Sequence, residues 1–419
     1  MPSQSSPPPY IRRHLEVALT EALADTPVVC ILGPRQCGKS TLAQHVAPDR
    51  AYVSLDDPNS YELARYDPKG FIGDLPEYVT IDEVQRAPEL AVAIKQSVDT
   101  NRKPGRFLLT GSANLLQLPR LSDSLAGRMA WLELQPFSEA EKEGSAGRFL
   151  ETWLSGKLET SIAGSTPPKA STLPRRVIAG GYPEAARRSP ERARQWQEQY
   201  IQSIIERDIQ DIIQIRDSED TGRLLEYLSH QTAQLLNVTE TAKALGHTRA
   251  TVEKYLSILE KLYLLRRLPA WHRNVQKRLI KSPKIHLRDS GLAGALSGIT
   301  ESTWKTDRAA FGHLLESFVL QQLQPQAALL PGKTRLWHYR DKDQLEVDCV
   351  LTQGNRTWGV EIKAAASVKP SDADGLKRLA CQAGTDFQGG VVLYDGTSIL
   401  PLDRKLKLHA VPISKLWEL

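Results

Sequence analysis

One eight-residue stretch, Gly33-Pro34-Arg35-Gln36-Cys37-Gly38-Lys39-Ser40, constrains this chain more than any other. It satisfies G-x-x-x-x-G-K-[ST], follows the apolar run 28–32, and opens a helical pattern through Thr41, Leu42 and Val46. That strand, loop and helix context is the one in which the pattern cradles phosphate. Gly33 and Gly38 let the backbone curl so that its N–H groups face a triphosphate. Lys39 would neutralise the β and γ oxygens and Ser40 would offer a hydroxyl to Mg²⁺. Residues 33–41 are therefore the candidate ATP-binding loop.

Around this loop, apolar runs at 28–32, 52–55, 78–82, 107–110 and 129–134 alternate with helical stretches, after a first amphipathic helix predicted over 10–24. That rhythm predicts an α/β fold with a parallel sheet covered by helices on both faces. The run 78–82 ends in Asp82 and Glu83, and a carboxylate at the C-terminal end of such a strand sits on the ligand edge of the sheet. Asp82 is the candidate for the metal's water shell and Glu83 for the attacking water; two solvated acids are the alternative. The run 107–110 leads into Thr110-Gly111-Ser112, and either hydroxyl can sense a γ-phosphate. Arg128 precedes the last run and supplies either transition-state charge or an ordinary surface ion pair.

At 419 residues the chain is about three times the ~150 residues of a typical domain, which predicts two or three cores. We divide it into a leader (1–9), a P-loop ATPase domain (10–150), a linker-like Ser/Thr/Gly/Pro-rich segment (151–193), a helical region (194–295) and an α+β region (296–419). A mean hydropathy of −0.36 with 25% charged residues excludes a mainly disordered chain and a multi-pass membrane protein. No apolar run approaches the ~18 residues needed to cross a bilayer. Cys30, Cys37, Cys349 and Cys381 form no Cys-x-x-Cys pair, so neither a zinc ribbon nor a disulfide framework is indicated, and a reducing cytoplasm is the expected location.

The helical region carries a second signal. Asn237 and Thr248 have the character of helix N-caps, Gly246 that of a stop, and Val252, Tyr255, Leu256, Leu259 and Leu262 form one apolar face. Arg249, Thr251, Lys254 and Ser257 are left facing outward, the layout of a helix-turn-helix. Residues 263–288 then hold eight basic side chains (Arg266, Arg267, Arg273, Lys277, Arg278, Lys281, Lys284, Arg288) and no acid, the composition of a β-wing that touches DNA phosphates. The alternative is a pair of helices that merely joins two domains.

The third signal is a hairpin. Gly354-Asn355 separates two β-prone runs; a two-residue loop puts Gln353 opposite Arg356, Asp348 opposite Glu361 and Glu346 opposite Lys363, all on one face. Facing carboxylates repel unless a divalent cation lies between them, with Lys363 directed at the same ion. Asp348, Glu361 and Lys363, completed by Glu316 from a preceding helix, are thus candidates for a Mg²⁺- or Mn²⁺-dependent nuclease site. The alternative is an ordinary Glu346–Lys363 ion pair beside solvated acids.

Taken together, GPRQCGKSTLA (33–43), IDEVQRAP (81–88), LLTGSANLL (108–116), SLAGR (124–128), GGYPEA (180–185), KSPKIHLRDSGLA (281–293) and FGHLLESFVLQQL (311–323) resemble the bacterial and archaeal AAA-type ATPases in which a domain of unknown function follows the P-loop domain. The resemblance implies Mg²⁺-dependent ATP hydrolysis, a winged helix in the middle and a restriction-endonuclease-like fold at the C-terminal end. DNA is then the expected macromolecular partner, with a homo-oligomer as a further expectation.

Overall fold

The five apolar runs become strands β1 (Val28–Leu32), β2 (Ala51–Ser54), β3 (Val79–Asp82), β4 (Phe107–Gly111) and β5 (Met129–Glu133). They belong to a computed structural model that describes residues 9–112, 125–161, 172–209, 216–278 and 281–419. The strands pair in the order β2-β3-β4-β1-β5, all parallel. β1, β3 and β4 are buried along their whole length, which is why they read as unbroken apolar runs and not as alternating ones. Val29 and Ile31 face a core with Leu19 and Leu42 of the helices Leu15–Asp25 and Lys39–Val46. Val28, Cys30 and Leu32 face Leu90, Ile94 and Val98 of the helix Leu90–Thr100. Because the strands run one way, the loop after β1, Asp82–Glu83 at the end of β3 and Thr110–Ser112 at the end of β4 share one edge.

The middle region builds the helices Arg216–His230, Val238–Leu245 and Arg249–Lys261 around three short strands, β6 (Gln234–Leu235), β7 (Leu265–Leu268) and β8 (Lys284–Leu287), paired antiparallel in the order β6-β8-β7. The helix boundaries follow the local chemistry. The Asn237 side chain accepts from the N–H groups of Thr239 and Glu240, Gly246 ends the helix at φ 72°, and Thr248 accepts from the N–H of Thr251. Between β7 and β8 lies a short helix, Val275–Arg278, where an extended wing was expected. Residues 172–193, grouped above with a linker-like segment, place Leu173, Val177 and Tyr182 in the core; residues 162–171, and with them part of the Ser/Thr-rich stretch, lie outside the described residues, as do Ile212 and Ile213.

In the last third, the helix Arg308–Leu329 precedes β9 (Thr334–Arg340), β10 (Glu346–Gln353), β11 (Arg356–Lys363), β12 (Phe387–Tyr394), β13 (Leu400–Asp403) and β14 (Leu408–Pro412). These form a mixed sheet in the order β13-β14-β12-β11-β10-β9, with β11, β12 and β14 parallel to one another. The hairpin turns at Gly354 (φ 59°) and pairs Gln353 with Arg356, the predicted register. Helix Asp374–Ala383 covers one face of the sheet through Leu376 and Leu379. The other face joins an apolar core that runs without a break from Ala140 through the middle region to Trp417. The middle region also adds backbone to the sheet: Ala270 bridges to His338 of β9, with Trp271 N–H donating to the His338 carbonyl (2.6 Å) and His338 N–H to that of Pro269 (2.9 Å).

Candidate functional site

The phosphate loop has the shape its glycines permit. Gly33 takes φ 155° so close to the β5 exit that a Cβ there would meet the Leu134 carbonyl at 2.2 Å, and Gly38 takes φ 100° as the N-cap of the following helix. Lys39 is buried with its ammonium donating to the carbonyls of Gly33 (3.1 Å) and Pro34 (2.8 Å), so its charge lies inside the loop. The Cys37 side chain is fully buried against Leu134. Arg35, Gln36 and Thr41 are exposed. Two neighbours that the motif does not foretell brace the loop. Arg13 donates to the Cys37 carbonyl (2.8 Å) while paired with Glu141 (3.1 Å), and the Tyr200 hydroxyl donates to the Arg35 carbonyl (3.1 Å).

Opposite the loop, Ser40 Oγ lies 2.9 and 3.0 Å from the two carboxylate oxygens of Asp82. Thr110 donates to the same carboxylate, and so does the Tyr52 hydroxyl (2.6 Å). Burial and the Asp82 carboxylate hold the Tyr52 phenol protonated, its pKa well above the usual range. Tyr52 was missed in the sequence, where it reads only as part of a strand. Glu83 stands in the left-handed region (φ 56°), and its carboxylate accepts from Ser112 Oγ (3.0 Å) and from Gln85. Gln85 also donates to Ser112 (2.8 Å). The structure thus brings Lys39, Ser40, Asp82, Glu83, Thr110 and Ser112 to one sheet edge. A hydroxyl and a carboxylate in contact beside a glycine cradle fit Mg²⁺ with a triphosphate.

Arg128 is not part of this group. It sits at the N-terminal end of β5, a strand length of five residues, or about 16 Å at ~3.3 Å per residue, from the loop edge, and pairs with Asp99 (2.5 Å). Action on its own chain's nucleotide is excluded by that placement.

The basic stretch 263–288 also departs from expectation. Arg267 pairs with Glu253 (2.9 Å) and Glu260 (2.5 Å), and Arg288 with Glu133. Arg278 lies over the rings of Trp271 and Trp337, and Lys281 donates to the Arg340 carbonyl (3.2 Å). Burial lowers Arg266 to about 9, and Lys284 is 2% exposed. Arg273 is exposed; the side chain of Lys277 lies outside those described. Among the described side chains, Arg266, Arg267, Arg278, Lys284 and Arg288 are thus wholly or partly buried, and Arg273 and Lys281 are exposed.

The hairpin carboxylates gather in a cleft of about 400 Å³ lined by Glu316, Glu346, Asp348, Glu361 and Lys363. The Glu346–Lys363 ion pair of the alternative reading is not formed. Lys363 donates to Glu361 (2.7 Å), not to Glu346, which pairs with Arg340 (2.5 Å). Asp348 accepts from the Ile362 N–H (2.9 Å). Lys284 enters from β8 and reaches Glu316 (3.0 Å), Asp348 (3.2 Å) and Glu346 (3.3 Å). Burial and the Asp348 charge push Glu316 up to about 7. Among the described residues no group of three or more His, Cys, Asp or Glu is placed to hold a metal ion, so the carboxylates as arranged do not fit the expected nuclease metal.

Residues 25–142, with this loop and sheet, match the family described as "AAA domain", and the site is that of an AAA-type P-loop ATPase domain. Residues 170–303 and 311–416 match two families, each described as a "Domain of unknown function". Uncharacterized protein Rv2008c of Mycobacterium tuberculosis and uncharacterized protein Mb2031c of Mycobacterium bovis are each 32% identical to the chain over 394 residues, covering 93% of it and 81% of the relative. The chain belongs to the family of these mycobacterial proteins. Among solved structures, the Walker-type ATPase PABY2304 of Pyrococcus abyssi is similar over 68% of this chain and 96% of its own, at 14% identity and a TM-score of 0.41. The RuvB Holliday junction branch migration motor of Thermotoga maritima is similar over 61% and 89%, at 18% identity and a TM-score of 0.28. Among the described residues no helix is long and apolar enough to cross a membrane.

Proposed function

We propose that this protein is a Mg²⁺-dependent ATP hydrolase that couples turnover to DNA bound by its middle region. The observation that carries the hydrolase reading is the contact of Ser40 with Asp82 beside a Glu83 carboxylate fixed by Ser112 and Gln85. Bound Mg²⁺ would draw charge from the β and γ oxygens. The N–H groups of 33–38 and Lys39 orient the phosphates, Ser40 and Asp82 hold the metal, and Glu83 aligns a water and accepts its proton. Thr110 and Ser112 touch Asp82 and Glu83 respectively, so either can report the γ-phosphate to them. Lys39→Ala tests this reading, since a purified variant that hydrolyses ATP at the wild-type rate would sink it.

The DNA half of the reading rests on the middle region's element order. A helix, a short strand, two helices joined at Gly246–Thr248 and two further strands with a short helix between them support the reading of a winged helix. Arg249 and Lys254 lie on its exposed side, and these, not the 263–288 stretch, are the candidate phosphate contacts. Charge reversal at both positions should weaken binding of duplex DNA about equally across sequences and reduce its salt dependence. Salt-insensitive binding, or none by the wild type, favours a protein partner. The C-terminal region enters as a binding platform and not as a nuclease, the reading that the ammonium among its carboxylates supports.

A further inference from the structure

Four acids of the C-terminal cleft, Glu316, Glu346, Asp348 and Glu361, each answer to a cation of the chain itself. Glu346 lies between Arg340 and Lys284, Glu361 takes Lys363, and Glu316 lies 3.5 Å from His313 as well as 3.0 Å from Lys284. Asp348 has one oxygen on Lys284 and the other on the Ile362 N–H. Lys284 is the member common to three of the four. An ammonium has three donors, and this one has three carboxylates at 3.0 to 3.3 Å.

The placement of Lys284 is built into the fold. It opens β8, the middle strand of the β6-β8-β7 sheet, in register with Leu235 on one side and Leu268 on the other. Two residues on, His286 leaves the same face of β8 and meets Ser317 (2.9 Å), the neighbour of Glu316. The strand is therefore docked along helix Arg308–Leu329 at two successive positions. Burial disfavours the charged lysine, but the Asp348, Glu316 and Glu346 carboxylates favour it more, so its pKa lies above the usual lysine range.

A divalent cation needs oxygens converging at about 2.0 to 2.6 Å, and the point on which Glu316, Glu346 and Asp348 converge is the lysine nitrogen. One carboxylate oxygen in the cleft, Glu361 Oε2, is buried without a hydrogen-bond partner in a residue 7% exposed. We propose that Lys284 is the resident cation of this cleft: it occupies the divalent-metal position, the native cleft takes no divalent ion, and a latent metal site formed by Glu316, Glu346 and Asp348, with Glu361 beside it, is exposed when the ammonium is removed. The inference concerns residues 284–363 alone and stands or falls apart from the ATPase and DNA readings.

The test is Mn²⁺ titration of the full-length, nucleotide-free protein, with free Mn²⁺ read by electron paramagnetic resonance. Wild type and Glu361→Gln should bind the same number of ions. Lys284→Met, which keeps the stem and removes the charge, should gain one ion, lost again in Lys284→Met/Asp348→Asn. A wild type that binds one more ion than Glu361→Gln overturns the proposal without any need of the lysine variant. A Lys284→Met protein with a cooperative thermal unfolding transition and no added ion overturns it equally.

Discussion

The Tyr200 hydroxyl donates a 3.1 Å hydrogen bond to the carbonyl of Arg35, so a helix of the region beyond the ATPase sheet touches the backbone of the phosphate loop itself. A loop that tightens around phosphate must carry or break that bond. Tyr200→Phe removes this hydrogen bond, worth roughly 1 kcal/mol, together with the one to the Tyr182 hydroxyl (3.2 Å), and nucleotide affinity should stay within about tenfold of wild type. The effect of ATP on DNA affinity should shrink, which fluorescence anisotropy with and without a non-hydrolysable analogue measures.

Glu83→Gln keeps the shape of the side chain and an oxygen for Ser112 and Gln85 but removes the base. Turnover is expected to fall by about 10²- to 10⁴-fold with ATP binding retained. Equilibrium binding and steady-state hydrolysis on the same preparation separate the two. A variant retaining a tenth of wild-type turnover would assign the water to another group.

Arg128 is committed to Asp99 at the sheet edge away from the loop. An exposed pair of this kind contributes little, so Arg128→Ala should hydrolyse ATP within about twofold of wild type at low protein concentration. A tenfold loss that grows with concentration would show that the arginine serves a neighbouring chain.

Acid should weaken the joint between the middle region and the C-terminal sheet. Burial keeps His338 neutral and brings its pKa from 6.5 down to about 4. An unfolded chain takes up this proton near pH 6.5 and the folded chain only near 4, so the neutral histidine's contribution is complete above 6.5 and lost as pH falls toward 4. The slope is at most about 1.4 kcal/mol per pH unit for one group. Thermal midpoints between pH 7 and 4 should fall less steeply in His338→Gln; an unchanged slope assigns the acid sensitivity to other groups.

The nucleotide site was legible because its determinants are local. A glycine pattern between an apolar strand and a helix, and acids or hydroxyls just past two further buried runs, need no knowledge of distant contacts. The hairpin register was legible for the same reason, since Gly354-Asn355 fixes which residues face each other. What escaped were partners far apart in sequence. Nothing near Lys284 announces carboxylates 32 and 64 residues on, and a run of basic residues looks alike whether it faces solvent or is buried against acids. Tyr52 is equally mute, as its strand position gives no sign that its hydroxyl reaches Asp82. The short strands β13 and β14 were missed because Pro401 and Pro412 interrupt their pattern.

The bridge from Ala270 to His338 lays backbone of the middle region against the outer edge of β9. A fragment cut near residue 296 would present β9 as a bare edge and the Arg308–Leu329 helix without its cover, a template for aggregation. Recombination at that point would therefore yield two failed halves, and the pair must be inherited together: for evolution, as for the experimenter choosing where to truncate, the two regions count as one.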